Sequence, residues 1–519
     1  MALSVNSKIR ELLENPALVA LIDRLVPGLT SHPLIGVAKN FTLAKCAKLL
    51  PDVLTPEVME KILDALASVA GGAAETDAAS APPAARVYDF DEIIGREGTN
   101  SVKYDAAPVL NPLLPADFVP MWIADMDFAV AEPIREAMKA RIDRKILGYS
   151  MPLSADYYIA VMDYLERHHG HKLDFDEIVF SSGVITAMKA AVQRFTSEGD
   201  GVIINTPSYM PFDASVKQFG RTPLYSPLVN TDGYFTFDYA DIERKAKDPR
   251  TKMFFLCNPH NPTGRVWRED ELRRVAQICF DNGVFVFSDE IHCDITRAGQ
   301  KHIPLAVLYP ERKDILTATA PSKTFNLAGN QLANLLFHDK ELAQEWRMAR
   351  YCGEPNPLSL DACVAAYTLC DDWLEQMNAY VDENFRYMQR YLAAHLPQAK
   401  FRIPEGTYLA WTDLRALGLS DAELKDRISR AGLFLEYADD FVRDGDGFVR
   451  MNLACPRSVL SRALKIFCEA LGGTSEELWT PPSDSAPRSA DGDGTPADDV
   501  AKPSAKEGRR GFAALFRKK

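Results

Sequence analysis

The chain has 519 residues, of which 47% are hydrophobic and 25% are charged, and its net charge is -13. This length accommodates about three domains of ~150 residues each. The acidic balance argues against nucleic acid as the main partner, because phosphate binding requires clustered lysine and arginine residues. The composition is typical of an acidic globular protein.

The cysteines and the first residues indicate the compartment. The nine cysteines are scattered, and none of them forms a CxxC pair. This pattern suits a reducing cytosol better than a disulfide framework or a zinc site. The chain carries charge too early for a signal peptide, and no run approaches the ~18 apolar residues of a membrane span. The sequence therefore predicts a cytoplasmic protein.

Shifts in composition divide the chain into four parts. Residues 1–70 show short amphipathic patterns, which predict a helical accessory module. Residues 71–86 are small, polar and proline-rich, as in a flexible linker. The composition of residues 87–473 is that of a globular enzyme, and the tail at 474–519 is predicted to be disordered.

Two further segments each allow two interpretations. The sequence Arg-His-His-Gly-His at 167–171 contains possible metal ligands, but it follows a helical pattern and is interpreted as an exposed helix end. Residues 502–519 carry seven Lys/Arg against one Glu. They can form a basic amphipathic helix that contacts a membrane surface or an acidic partner. A solvated tail is the favoured interpretation.

Strand and helix patterns alternate in the central block. The apolar runs at 201–205, 252–256, 284–287 and 315–318 predict buried parallel strands, and the pattern at 269–282 predicts a helix. The fold class is therefore α/β with a mostly parallel sheet. In such sheets the chemistry lies at the carboxyl ends of the strands, so the loops there contain the candidate site residues.

Lys323 follows one of these strands, in the sequence Ala-Pro-Ser-Lys-Thr-Phe-Asn. A lysine at a strand end can lie in a dry pocket, where its pKa falls and its amine becomes nucleophilic. Taken alone, a lysine in such a loop is more often a solvated surface residue. The neighbouring motifs favour the catalytic interpretation.

Asp289 and His292 lie in the sequence Ser-Asp-Glu-Ile-His, which closes another predicted strand. An acid there can cap a helix or bind metal. It can also pair with a protonated pyridine nitrogen, which keeps the ring cationic and able to accept electrons. Because His292 has no second ligand cluster at the spacing that zinc requires, no metal site is predicted.

Three other strand ends offer groups that suit a phosphorylated aromatic ligand. The amide of Asn261, in the loop Asn-Pro-His-Asn-Pro-Thr-Gly, can donate to a phenolic oxygen. Tyr209 can stack on a planar ring. The helix that opens after Gly183 offers free amides for a phosphate. Turn chemistry alone also explains the prolines and glycines of these loops.

The order of these motifs resembles that of the fold-type I enzymes that use pyridoxal 5′-phosphate (PLP). The closer resemblance is to the cysteine-S-conjugate and cystathionine β-lyases of the MalY/PatB type, within the aminotransferase superfamily. It covers about residues 88–471 and rests on Pro-Met-Trp-Ile-Ala-Asp-Met-Asp-Phe at 120–128, Gly148-Tyr149, His292 where aminotransferases usually carry Tyr, Phe-Val-Arg-Met-Asn at 448–452, and Cys455-Pro-Arg457.

The resemblance implies a role for each candidate residue. Lys323 binds PLP covalently, and Arg450 binds the α-carboxylate of the substrate. The other cofactor-binding residues are Asp289 at the ring nitrogen, Asn261 at the phenolic oxygen, Tyr209 on the ring face, His292 close by, the amides of Gly183, Val184 and Ile185 with Ser322 at the phosphate, and Tyr149 at the phosphate of the neighbouring subunit. The protein is accordingly expected to be a homodimer with shared active sites.

The resemblance also implies the architecture and the reaction. A large PLP domain at about 136–360 and a small domain from 87–135 and 361–473 are expected. The expected reaction is PLP-dependent β-elimination, which cleaves L-cystathionine or a related amino-acid thioether to a thiol (homocysteine), pyruvate and ammonia.

Two departures and two alternatives accompany this assignment. Gln331 replaces the phosphate-binding Arg of many aminotransferases, as in the lyases, and the stretch 435–440 lacks an expected Pro-Gly, which leaves the pocket shape open. The alternatives are an aminotransferase and a non-catalytic PLP-binding regulator. Residues 1–70 hold seven Lys/Arg and seven Asp/Glu, which makes them a poor DNA-binding domain for such a regulator.

Overall fold

The fold is taken from a computed structural model that describes residues 86–152, 155–349 and 352–476, with positions 7–13, 19, 41–49, 54, 58–59 and 61–63 of the amino-terminal region. The predicted linker, apart from Arg86, and the predicted disordered tail beyond residue 476 lie outside the described residues.

A seven-stranded sheet forms the centre of the protein. The strands of the described residues are β1 (Val119–Pro120), β2 (Ile178–Ser181), β3 (Gly201–Thr206), β4 (Ser208–Tyr209), β5 (Thr222–Pro227), β6 (Val229–Thr231), β7 (Tyr234–Thr236), β8 (Thr251–Cys257), β9 (Phe285–Asp289), β10 (Ile315–Thr319), β11 (Ala333–Phe337), β12 (Lys400–Phe401), β13 (Leu409–Asp413), β14 (Leu433–Phe434), β15 (Phe441–Val442) and β16 (Phe448–Asn452). The central sheet has the order β2-β11-β10-β9-β8-β3-β5. Only β11 runs antiparallel to its neighbours. The predicted α/β class and mostly parallel sheet are confirmed.

The α-helices of the described residues include those that connect and cover the strands of the central sheet. They are Ile9–Leu13, Leu43–Leu49, Ala107–Leu110, Glu132–Ile142, Ala155–His169, Val184–Phe195, Met210–Lys217, Tyr239–Ala246, Glu269–Asp281, Leu305–Leu308, Pro321–Thr324, Lys340–Ala349, Pro357–Leu369, Asp371–His395, Asp421–Arg430 and Arg457–Ala470. The four predicted strands and the predicted helix near 269–282 all appear within two residues of their expected bounds.

The sheet is buried on both faces, because successive side chains of a strand point in opposite directions. In β3, Val202 and Ile204 join one hydrophobic cluster, while Ile203 between them joins the cluster on the other face. Each of these side chains is fully buried, which contributes roughly 1.5–3 kcal/mol apiece to folding. Burial on both sides explains why the strands are unbroken apolar runs.

A smaller antiparallel sheet of β12, β13 and β16 lies apart from the central sheet. Two short pairings join distant segments: β1 pairs with β14 in parallel, and β4 pairs with β15 in antiparallel fashion. The second pairing places Phe441 opposite Tyr209. Carboxy-terminal residues are thereby held against the end of β3.

The described part of the amino-terminal region has a small hydrophobic cluster of its own. Its buried members are Ile9, Leu12, Phe41, Leu43, Cys46, Leu54 and Ile62. Ala155, at the start of the helix Ala155–His169, packs against this cluster. Among the described residues, no helix combines the length and apolar character that crossing a bilayer requires.

Candidate active site

A cavity of about 520 Å³ opens at the carboxyl ends of the central strands. It brings together ten of the predicted site residues: Gly183, Val184, Ile185, Tyr209, Asn261, Asp289, His292, Ser322, Lys323 and Arg450. These residues come from segments up to 267 positions apart in sequence, between Gly183 and Arg450. Parallel strands that end at one edge of the sheet explain their convergence.

Lys323 lies on the wall of this cavity, in the short helix Pro321–Thr324 rather than in an open loop. Its Nζ donates a hydrogen bond of 2.6 Å to the carbonyl oxygen of Ala124. Burial lowers the pKa of Lys323 to about 8, against the opposing effect of Asp125. A larger fraction of this amine is therefore uncharged near neutral pH than of an ordinary lysine.

Asp289 is the last residue of β9 and faces the cavity. Its side chain is buried, and Oδ1 accepts a hydrogen bond of 3.2 Å from the Ile291 amide. Burial raises the pKa of Asp289 to about 7, although the Ile291 amide acts in the opposite direction. A carboxylate in such a place is stabilised by a cationic partner in the cavity.

His292 is also buried, with its ring 6.0 Å from that of Tyr408 in an edge-to-face arrangement. Burial holds the pKa of His292 well below its ordinary value, and Lys323 and Arg450 add to this effect. The imidazole is therefore neutral. Its Nδ1 is one of the buried polar atoms of the described residues that have no hydrogen-bond partner.

Asn261 and Arg450 contact each other at the cavity wall. The guanidinium of Arg450 donates 2.7 Å to Oδ1 of Asn261, which leaves the Asn261 amide nitrogen free to turn toward the cavity. Arg450 also donates 3.4 Å to the carbonyl oxygen of Trp122. Arg450 lies on β16 and Asn261 lies in the loop after β8. Because these two segments meet here, the two side chains form a hydrogen-bonded pair.

Glu436 is a cavity residue that the sequence did not identify. Its carboxylate forms an ion pair with Arg450. It lies in the stretch 435–440, whose missing Pro-Gly left the pocket shape open. No sequence motif identifies this glutamate, because its position in the site depends on the pairing of its backbone with β16. The one available signal was the absence of the expected Pro-Gly from this stretch.

The residues predicted to bind phosphate surround the start of the helix Val184–Phe195. The first amides of a helix lack partners within the helix and attract anions. Ser182, which donates 3.3 Å to Thr186 Oγ1, also lines the cavity. Ser322 reaches the cavity from the neighbouring turn.

The segment 120–128 contacts Lys323 and the turn that carries it. Asn452 donates to the carbonyl oxygens of Ile123 and Asp125 at 2.9 and 2.8 Å. Asn326 donates to Met126 and Phe128 at 3.2 and 3.0 Å. The family resemblance of the sequence rests partly on this segment. In the structure its backbone carbonyls accept hydrogen bonds from Lys323 and Asn326 and so hold the turn that carries the lysine.

Tyr149 lies outside the cavity of its own chain and is fully exposed. Ile146 and Met151 beside it are 76% and 51% exposed. An exposed apolar segment of this kind is typical of an interaction surface.

The interpretation of Arg-His-His-Gly-His as an exposed helix end is wrong for two of its histidines. His169 and His171 are both buried. His169 Nε2 donates 2.7 Å to Oδ1 of Asp294, and the Thr324 hydroxyl donates 2.6 Å to Oδ2 of the same carboxylate. Asp294 thereby links the buried helix end to the turn that holds Lys323.

Burial would raise the pKa of Asp294, but the hydrogen bonds from His169 and Thr324 outweigh it and lower that pKa to about 2. Cys293 lies nearby, and the ligand atoms of His169, Cys293 and Asp294 are within 4.8 Å of one another. The hydrogen bond between His169 and Asp294 accounts for the close approach of that pair.

These features fit PLP. Asp289 offers a buried carboxylate to a cationic ring nitrogen, and the unpartnered Nδ1 of His292 and the Asn261 amide offer polar contacts. The helix amides after Gly183 suit the phosphate, and Lys323 offers an amine of lowered pKa. All these groups line one cavity.

Comparisons with known proteins agree with this arrangement. Residues 117–467 match the aminotransferase class I and II family. The chain is 39% identical to cystathionine beta-lyase PatB of Bacillus subtilis, over 74% of this chain and 100% of PatB. It is 32% identical to protein MalY of Escherichia coli, over 73% of this chain and 97% of MalY.

Solved structures resemble it as well. The PLP-bound C-S lyase from Staphylococcus hominis is 37% identical, with a TM-score of 0.70, over 75% of this chain and 99% of that structure. Cystalysin from Treponema denticola, which contains PLP, is 34% identical with a TM-score of 0.72, over 75% of this chain and 99% of that structure. The chain therefore belongs to the aminotransferase class I and II family, within its group of PLP-dependent C–S lyases that includes PatB and MalY.

Proposed function

We propose that this protein is a PLP-dependent C–S β-lyase that cleaves L-cystathionine or related cysteine S-conjugates to a thiol, pyruvate and ammonia. The observation that carries the proposal is the convergence of Lys323, Asp289 and Arg450 on one cavity. A nucleophilic amine, a carboxylate for a pyridine ring and a guanidinium for an α-carboxylate are the groups that this reaction requires.

Each cofactor contact is proposed for a residue of the cavity. Lys323 binds PLP covalently, and the carboxylate of Asp289 pairs with the ring nitrogen. The remaining contacts are Asn261 and His292 at the phenolic oxygen side, Tyr209 on the ring face, and the amides of Gly183, Val184 and Ile185 with Ser322 at the phosphate. When bound, PLP supplies the electron sink that makes a carbanion at Cα accessible.

The chain itself supplies orientation and proton transfer. Arg450 clamps the α-carboxylate, since a guanidinium can bind both carboxylate oxygens at once. Once the substrate amino group takes its place, the released Lys323 amine would accept the proton from Cα, a step suited to a base whose pKa is about 8. The neutral His292 adds no charge to the cavity, and the buried carboxylate of Asp289 would balance the charge of a protonated ring nitrogen.

The test is pyruvate formation from L-cystathionine by the PLP-loaded protein without any keto acid. Pyruvate and homocysteine in equal amounts are expected. Lys323→Ala should abolish both products and the visible absorbance of the bound cofactor, while Lys252→Ala, at an exposed position on β8, should change neither. If no pyruvate forms and the cofactor instead accumulates as pyridoxamine phosphate, the protein is an aminotransferase.

A homodimer with shared active sites is the proposed assembly. The exposed segment around Tyr149 supports it, since that tyrosine lies outside its own cavity. Mixing Lys323→Ala with Tyr149→Ala should restore turnover, because each mixed dimer then has one site with an intact lysine and an intact tyrosine from the partner. If Tyr149 acts within its own chain, mixing restores nothing.

We extend the proposal to the rest of the chain. Residues 1–70 form an accessory helical module, 71–86 a linker, 87–473 the two-domain enzyme and 474–519 a tail with a basic end. The cytoplasm is the proposed compartment, supported by nine cysteines that are all free and buried.

A further inference from the structure

Glu436 and Arg450 are held side by side by their backbones. The Arg450 amide donates 2.9 Å to the Glu436 carbonyl, and the Glu436 amide donates 3.3 Å to the Arg450 carbonyl. Their side chains then meet as an ion pair. Because the backbone bridge fixes both Cα positions, the carboxylate of Glu436 is placed beside this guanidinium by the fold.

The pair lies in the cavity and is well shielded from water. The side chains of Arg450 and Glu436 are 1% and 12% exposed. The other charged or titratable groups that face Glu436 are Lys323 from the turn after β10, Asp440 from its own loop and Tyr209 from β4. Burial raises the pKa of Glu436 to about 7, against the opposing effect of Arg450.

A substrate carboxylate at Arg450 would meet this glutamate. One side of the guanidinium is engaged by Asn261 at 2.7 Å, and Glu436 occupies Nη2. A carboxylate that binds a guanidinium at two points uses Nη2 together with either Nε or Nη1, so bidentate binding of a second carboxylate requires the nitrogen that Glu436 occupies. Two carboxylates that share a buried site do not both stay ionised, because like charges raise the pKa of one of them.

We propose that Glu436 occupies the substrate-carboxylate position on Arg450 in the free enzyme, and that it takes up one proton from solvent when the α-carboxylate of the substrate replaces it. The inference rests on the proposed role of Arg450 in substrate binding. It assigns to Glu436 the control of substrate admission, since the substrate must displace a charge that the protein itself provides.

This exchange makes substrate affinity depend on pH. Above pH 7 the free enzyme carries Glu436 as a carboxylate, so binding consumes a proton and weakens by about tenfold per pH unit. Below pH 7 Glu436 is already protonated in the free enzyme, so its contribution to the pH dependence disappears. When the free enzyme binds the substrate, one O–H bond forms on Glu436 and one proton leaves the solvent.

The probe is 3-(methylthio)propionate, a thioether carboxylate that has no α-amino group and cannot react with the cofactor. Its dissociation constant is measured on the PLP-loaded protein from the change in visible absorbance, between pH 6 and pH 8.5. Above pH 7, each pH unit should raise the dissociation constant of the wild type about tenfold more than it raises that of Glu436→Gln. At pH 8 the variant should bind the probe at least tenfold more tightly.

Asp439→Asn is the matched control, since Asp439 lies three residues away and pairs with Lys425 outside the cavity. It should keep the pH dependence of the wild type. Equal slopes in the wild type and Glu436→Gln would overturn the proposal. Independently of any variant, binding at pH 8 should show a buffer-dependent enthalpy from proton uptake, and its absence would also overturn the proposal.

The outcomes separate this inference from the proposed function. Failure of the probe to bind either protein at pH 6, where Glu436 is protonated, would contradict the role of Arg450 and this inference together. Proton uptake without pyruvate formation from L-cystathionine would leave the inference standing and overturn the lyase assignment.

Discussion

The amine nitrogen of Lys323 lies 2.6 Å from the carbonyl oxygen of Ala124, which belongs to a segment 199 residues earlier in the chain. The Tyr408 hydroxyl donates to the same oxygen at 3.1 Å. One backbone carbonyl therefore holds the lysine at the cavity wall, where burial lowers its pKa to about 8.

In the cofactor-free protein, Lys323 should react with amine-directed reagents far faster than other lysines. At pH 7.5 about a quarter of an amine with a pKa of 8 is uncharged, against roughly 0.1% of an ordinary lysine. We expect its labelling rate at this pH to exceed that of exposed Lys252 by about 100-fold and to level off above pH 8. Peptide mass spectrometry measures both rates in one sample, and equal rates would contradict the lowered pKa.

Asp289→Asn should have opposite effects on stability and on cofactor binding. The pKa of Asp289 is raised to about 7, so the folded state holds its proton more tightly than the unfolded state does. Its contribution therefore lowers stability as pH rises from about 4 to about 7. Removing the charge should stabilise the cofactor-free protein above pH 7 by at most about 4 kcal/mol, since each pKa unit is worth about 1.4 kcal/mol.

Cofactor affinity should fall in the same variant, because an amide cannot neutralise a protonated ring nitrogen. Denaturant unfolding at pH 5 and pH 8 and equilibrium PLP binding measure the two effects. The stabilisation should shrink at pH 5, where the wild-type carboxyl approaches its neutral form. Asp446→Asn, at an exposed position, should change neither quantity, and a stabilisation equal at both pH values would refute the explanation.

Thr324→Val tests the support beneath the lysine. The Thr324 hydroxyl donates 2.6 Å to Asp294, whose other oxygen binds His169. Valine keeps the shape but removes a donor from a buried carboxylate, which should lower the free energy of unfolding by about 1–3 kcal/mol. Thr368→Val, whose exposed hydroxyl donates to the Val364 carbonyl, should cost less than about 0.5 kcal/mol. Equal losses in the two variants would show that the buried network has no special weight.

Arg450→Lys should raise KM for the thioether substrate much more than it lowers kcat. An ammonium retains the charge but cannot bind both carboxylate oxygens in the planar geometry of a guanidinium. The loss of about 1.5–3 kcal/mol corresponds to a rise of roughly 10- to 100-fold in KM. Arg402→Lys, at an exposed arginine over the Tyr234 ring, should leave KM unchanged. A fall in kcat alone would place Arg450 in the chemical step instead.

The amino-acid sequence by itself determined the elements and the chemistry at their ends. Buried parallel strands require unbroken apolar runs, so β3, β8, β9 and β10 were visible without a structure. Lys323, Asp289 and Asn261 follow such runs, and a parallel sheet brings strand ends to one edge. Local pattern was sufficient for these residues because each one lies within its own motif.

Only the tertiary structure decided which residues of the site contact one another. The ion pair of Glu436 with Arg450, the carbonyl of Ala124 under Lys323 and the pairing of His169 with Asp294 join segments that no local pattern relates. The burial of His169 was predicted wrongly for the same reason: a helix end is exposed or covered according to what packs on it. Periodicity reports the face that an element buries, whereas the identity of the partner depends on contacts made across the whole chain.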